Sequence, residues 1–216
     1  MLRLVRAESF KLSKKLKSWL GPLLIMVLVL IAFPLSIDIS QFDLDKFYFS
    51  IIVVSLLMTS FLATEGMFEE DFEDGSLEQV FLIERDFYKV VLSKIFVYVC
   101  FIGVPIALIG AIFSVANGVA IESFASVFLS LSLSNLLLFN LFAFGNALSI
   151  NKGAMLGVLS SLPLALPVTI LLGTAIRSIQ FGDGFVAIIA LMMGTGLIMS
   201  AIMPLIISAA LKTHID

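Results

Sequence analysis

Between Glu65 and Gln79 the chain reads EGMFEEDFEDGSLEQ, with seven carboxylates (Glu65, Glu69, Glu70, Asp71, Glu73, Asp74 and Glu78) and no basic residue. Anionic charge at that density is repelled by an anionic cytoplasmic leaflet, so the segment is expected to stand off a bilayer and dock a soluble partner. Its apolar residues are spaced for two short helices. Phe68 and Phe72 lie four apart on one face of a first helix expected to stop near Asp74–Gly75, where glycine ends it. Leu77, Val80 and Phe81 form the apolar face of a second. Ser76-Leu77-Glu78-Gln79 has capping-box spacing, which predicts that Ser76 caps the second helix and Gln79 reaches back. A glycine break with a rigid restart makes an elbow, which would transmit a push better than a floppy loop. The simpler alternative is a solvated connector whose charges only keep it out of lipid; the regular apolar spacing favours docking.

Little else in the chain could do chemistry. Cys100 is the single cysteine and has no internal partner for a disulfide. His214 is the single histidine and reads as a tail residue near the headgroups rather than a metal or haem ligand. No GxxxxGK[ST] phosphate loop occurs, so energy for any uphill transport must come from a separate subunit. No cofactor is expected to bind this chain directly, and nothing points to nucleic acid.

The elements that must carry the elbow are membrane helices. The sequence is 60% hydrophobic and only 13% charged, with a mean hydropathy of +1.14. Six uncharged runs, Ser18–Ile37, Phe47–Thr64, Ile95–Ile121, Ser123–Asn151, Gly153–Ile176 and Gly184–Leu211, each reach the roughly 18 residues that cross a hydrocarbon core. Alternating polarity is absent, so the runs are helices, and the fold class is an all-α, six-span integral membrane protein in one domain, 1–216. None of these runs contains Asp, Glu, Lys, Arg or His, which argues against ion-coupled transport and intramembrane catalysis. With both termini on one side, 11 of the 13 Lys and Arg residues share that side and only Lys46 and Arg177 oppose them. The positive-inside rule then puts both termini and the elbow, 65–86, in the cytoplasm.

Three further features bear on packing. In 1–17, Leu2, Val5, Leu12, Leu16 and Trp19 make an apolar stripe opposite Arg3, Arg6, Lys11, Lys14 and Lys17, which predicts an interfacial helix with Trp19 at the headgroup level. Pro105 is expected to interrupt the third span, Pro163 and Pro167 to bend one face of the fifth, and Pro204 to interrupt the sixth. Gly153 and Gly157 form a GxxxG suited to close helix contact, within the chain or with a second copy.

Six spans, an amphipathic N-terminal helix and a cytoplasmic elbow resemble an ABC-2-type permease. Glu65, Phe68, Asp71 and the run Asp74-Gly75-Ser76-Leu77-Glu78-Gln79 resemble the signature of the CcmB family, the membrane subunit of the cytochrome c maturation system. Phe33-Pro34-Leu35-Ser36 and Leu162-Pro163-Leu164-Ala165-Leu166-Pro167-Val168 extend the resemblance along the chain. Asp38-Ile39 stands where the family often has Gly-Pro, and Glu84-Arg85-Asp86 replaces its usual Leu-Pro-rich linker. The resemblance implies a bacterial inner-membrane complex with a CcmA-like ATPase, CcmC- and CcmD-like haem-handling subunits and a CcmE-like haem chaperone, with haem as cargo and a homodimeric permease. It implies that Glu65 to Gln79 form the ATPase-coupling interface. Without histidine in any span, coupling ATP hydrolysis to release of the loaded chaperone ranks above conduction of haem itself. A generic ABC-2 permease for a lipid or other hydrophobic substrate is the alternative, and would lack the DGSLEQ run.

Overall fold

The computed structural model describes residues 1–36, 44–84, 86–150, 154–182 and 184–215. These residues form helices and no strand. The order is α1 (Leu2–Lys14), α2 (Leu16–Ser36), α3 (Leu44–Thr64), α4 (Glu69–Glu73), α5 (Ser76–Ile83), α6 (Phe87–Tyr98), α7 (Val104–Ala116), α8 (Phe124–Ser149), α9 (Ala154–Phe181) and α10 (Phe185–Ile215). Among the described residues, five helices are long and apolar enough to cross a membrane, and α1 and α2, joined through a 62° bend, make a sixth if the pair is one broken span. Asp38 and Ile39, Arg85 and Gly153 lie outside the described residues, so the departures at 38–39 and 85 and the GxxxG partner at 153 are not placed.

The centre of the bundle is α8. It is apolar on every side, and a helix of that kind is buried all round rather than along one stripe. It packs against α3, α7, α9 and α10, and its polar residues Ser130, Ser134, Asn135 and Asn140 are all buried. In lipid such groups must find partners inside the protein. Asn135 does so twice: its Oδ1 accepts from the Ser60 hydroxyl at 2.8 Å and its Nδ2 donates to the Gly103 carbonyl at 2.7 Å.

That carbonyl belongs to a wide, π-helical turn, Val99–Gly103, joining α6 to α7. Pro105 follows after Val104. Its ring crowds the carbonyl four residues back and supplies no N–H, and an extra residue in the turn relieves both problems. The third span is therefore widened at Pro105, not interrupted, and runs from Phe87 to Ala116. Pro163 and Pro167 likewise lie inside one continuous helix, α9, on its exposed side, and Pro204 lies within α10. Gly157 meets Gly145 of α8: a Cβ on either glycine would stand 2.8–2.9 Å from the other's carbonyl oxygen. Its close contact is thus made within the chain.

Candidate coupling site

The acidic segment folds as two helices turning at one glycine. α4 stops at Glu73, and Gly75 takes φ +71°, a left-handed conformation that glycine alone adopts cheaply. α5 starts at the next residue. One glycine serves as both the end of α4 and the cap of α5, so Ser76 is already helical and cannot act as the capping residue. The expected capping box is absent. Asp74 Oδ1 instead accepts from the Ser76 backbone N–H at 2.9 Å, and the Ser76 hydroxyl donates to the Asp71 carbonyl at 3.3 Å. Hydrogen bonding from the Ser76 side chain and backbone holds the exposed Asp74 carboxyl below its ordinary range.

The segment has no basic residue of its own, yet it is not unbalanced. Asp71 is buried, and each of its carboxylate oxygens is met by one ammonium group: Oδ1 by Lys11 of α1 and Oδ2 by Lys94 of α6. Lys94 is itself only 5% exposed, in the first turns of the third span. The membrane helix thus starts well before the uncharged run at Ile95 and carries a charge into the interior, where only a partner makes it tolerable. Lys15 pairs with Glu70. The spacing sets Lys11 on the polar face of the N-terminal helix, but its ammonium reaches the buried Asp71, while Leu2, on the apolar stripe, is 87% exposed. The stripe holds for Leu12, which is buried, and for Val5 and Trp19, which pack on the core.

Other elements grip the elbow as well. The Phe68 backbone N–H donates to Asn146 Oδ1 of α8 at 3.1 Å, and the Lys94 ammonium stands 5.5 Å from the buried Phe68 ring. Phe81 of α5 meets Phe87 of α6 edge to face at 5.5 Å, and Lys212 of α10 lies 5.3 Å from its ring. The residues singled out in the sequence therefore divide by side. Phe68, Asp71 and Leu77 face inward and are buried. Glu65, Asp74, Glu78 and Gln79 are exposed, with Gly75 and Ser76 half-buried at the turn between the two sides. Beside Gln79, Leu82 and Ile83 are 82% and 79% exposed, an apolar pair at the end of α5 that the sequence reading passed over. Lys11, Lys94 and Asn146 were also missed; the one signal for them was the surplus of acid opposite the two basic stretches.

The sequence matches the family described as "CcmB protein" over residues 4–214. It is 32% identical over 160 residues to "Heme exporter protein B" of Pseudomonas aeruginosa, covering 73% of this chain and 72% of that protein. Similarity to "Heme exporter protein B" of Haemophilus influenzae is 29% over 221 residues, the whole of this chain and 98% of the relative. The Escherichia coli protein of the same name is 36% identical over 89 residues, 41% of this chain and 40% of that one.

Proposed function

The chain belongs to the CcmB family, and from that premise we propose that it is the membrane permease subunit of an ABC-type complex for cytochrome c maturation, required for haem export or delivery. It lies in a bacterial inner membrane with both termini in the cytoplasm. A CcmA-like partner hydrolyses the ATP, because this sequence has no phosphate loop of its own. The chain is a transport subunit rather than an enzyme. CcmC- and CcmD-like subunits and a CcmE-like chaperone complete the system, and two copies of the permease face each other.

The observation that carries this reading is the Asp71 clamp. One buried carboxylate ties α4 to α1 and to α6, the opening of a membrane span. A push on the outer face of the elbow is thereby delivered to two other elements at once. The exposed residues of the elbow include the carboxylates Glu69, Glu73, Asp74 and Glu78 and the apolar Leu82 and Ile83, a mixed composition suited to a protein interface. Haem is cargo of the complex and not a resident group of this chain. The one histidine, His214, stands at the very end of the last span, leaving none further along a path across to ligate haem, so ATP hydrolysis drives release of the haem-loaded chaperone.

The test is haem-stained c-type cytochromes in a host lacking this gene, measured together with haem-loaded chaperone. The expected result is loss of mature cytochrome c with loaded chaperone accumulating. Loss of both would assign the chain to haem supply instead. Normal cytochrome c would overturn the reading and favour a permease for another hydrophobic substrate.

A further inference from the structure

The basic residues of α1 are used unequally. Lys11 and Lys15, at its end, are spent on Asp71 and Glu70. Arg3 and Arg6, at its start, are exposed and form no ion pair with any described residue. Both arginines line an open groove of about 600 Å³ together with Ser9, Phe10 and Ser13 on the same helix and Phe101 in the π-turn of the third span. Phe10 and Phe101 are 62% and 42% exposed, and the Lys14 ammonium stands 4.2 Å from the Phe10 ring centroid, so the groove joins cations to partly uncovered aromatic surface. Glu8, the one acid of α1, is not part of the lining.

We propose that this groove binds an anionic glycerophospholipid, its headgroup phosphate held by Arg3 and Arg6 and an acyl chain laid against Phe10 and Phe101. The chemistry selects such an amphiphile. Guanidinium groups take phosphate oxygens by paired N–H donation. Phe101 lies seven residues further along the third span than Lys94, so the aromatic part of the wall lies along a helix that enters the bilayer. A soluble anion would leave Phe10 and Phe101 uncovered, and a zwitterionic lipid would offer the arginines a phosphate already compensated by its own cation. The inference depends only on the chain being a membrane protein, not on what the complex exports.

The purified full-length protein is to be delipidated and exchanged into detergent with defined phosphatidylglycerol or phosphatidylcholine, and retained lipid counted by native mass spectrometry. One phosphatidylglycerol per chain is expected to survive, with phosphatidylcholine lost. A basic residue near an anionic leaflet contributes about fivefold in affinity, so Arg3→Gln/Arg6→Gln should weaken retention roughly thirtyfold. Arg177→Gln, also exposed but on another helix and outside the lining, should leave it unchanged. Both substitutions lie on exposed surface, so folding is not at stake. Equal retention of phosphatidylcholine, or equal loss in Arg177→Gln, would overturn the proposal as unspecific adsorption. Displacement of the lipid by equimolar haem would also overturn it, assigning the groove to a carboxylate-bearing cargo.

Discussion

Asp71 shows how one residue can look like something it is not. In sequence it is the fourth of seven acids and shares their apparent role as outward-facing charge. In the fold it is the only one of them that is buried, held by lysines 60 and 23 positions away. A separation of that size leaves no local pattern, which is why the charge surplus was legible and its neutralisation was not. Removing one partner of a buried pair is costly because the other is left charged without compensation. Asp71→Asn is therefore expected to cost about 3–5 kcal/mol, mostly through the stranded Lys94, and to lower the thermal midpoint in detergent sharply. Glu70→Gln breaks a half-exposed pair with Lys15 and should cost under about 1 kcal/mol. Equal losses in the two variants would show that Asp71 is not a buried clamp. Asn135 raises the same issue in lipid. Asn135→Leu leaves the Ser60 hydroxyl and the Gly103 carbonyl without it, for about 1–2 kcal/mol, and amide exchange should rise at Val99–Gly103. Unchanged exchange there would mean that the π-turn is held by Pro105 alone.

Helices were the most legible level, because a run of some 18 apolar residues has few structures open to it in a bilayer. Their ends were less so. The third span reaches back to Phe87 through Lys89 and Lys94, and no hydropathy reading extends a membrane helix across two lysines without knowing that both are paired, Lys89 with Asp86 and Lys94 with Asp71. The elbow illustrates a second limit. Its two helices and the break between them follow from Gly75, yet the capping box was misread, since the spacing does not say whether Ser76 stands before the helix or within it. The conformation at Gly75 makes a prediction at this scale. A φ of +71° is closed to proline, whose ring holds φ near −65°, so Gly75→Pro must rebuild the turn between α4 and α5. Glu78→Lys changes only exposed charge. Both variants should insert into the membrane, and both should lose co-purification of the ATPase subunit and yield of cytochrome c, Gly75→Pro through shape and Glu78→Lys through charge. Full yield in both would sink the docking role of the elbow.

At the scale of the molecule, what the sequence could not convey is which helix goes in the middle. α8 is apolar all round, so its periodicity points in no direction, and its close approach to α9 rests on Gly145 and Gly157, the second of which belongs to a GxxxG that in sequence suits a contact within the chain or with a second copy. The resulting bundle connects the elbow to α1, α6, α8 and α10 through Lys11, Lys94, Asn146 and Lys212. Two mechanical roles fit those contacts. Either the clamp is a rigid joint, which moves α1 and the third span with the elbow, or its ion pairs exchange during each cycle. Apolar replacement separates them, since a buried charge cluster exchanged for hydrophobic residues of similar volume is often neutral or stabilising. The hydrogen bond from the Phe68 backbone to Asn146 and the packing of Phe81 on Phe87 remain in such a variant, so the elbow keeps its seat without the charges. Lys11→Met/Asp71→Leu/Lys94→Met is therefore expected to unfold within about 1 kcal/mol of the unaltered protein and, because rigidity is what the joint supplies, to keep the cytochrome c yield, which Asp71→Asn should lower along with its stability. A triple variant that is stable yet makes no cytochrome c would reject the rigid joint and require the Asp71 pairs to open and re-form as ATP is turned over.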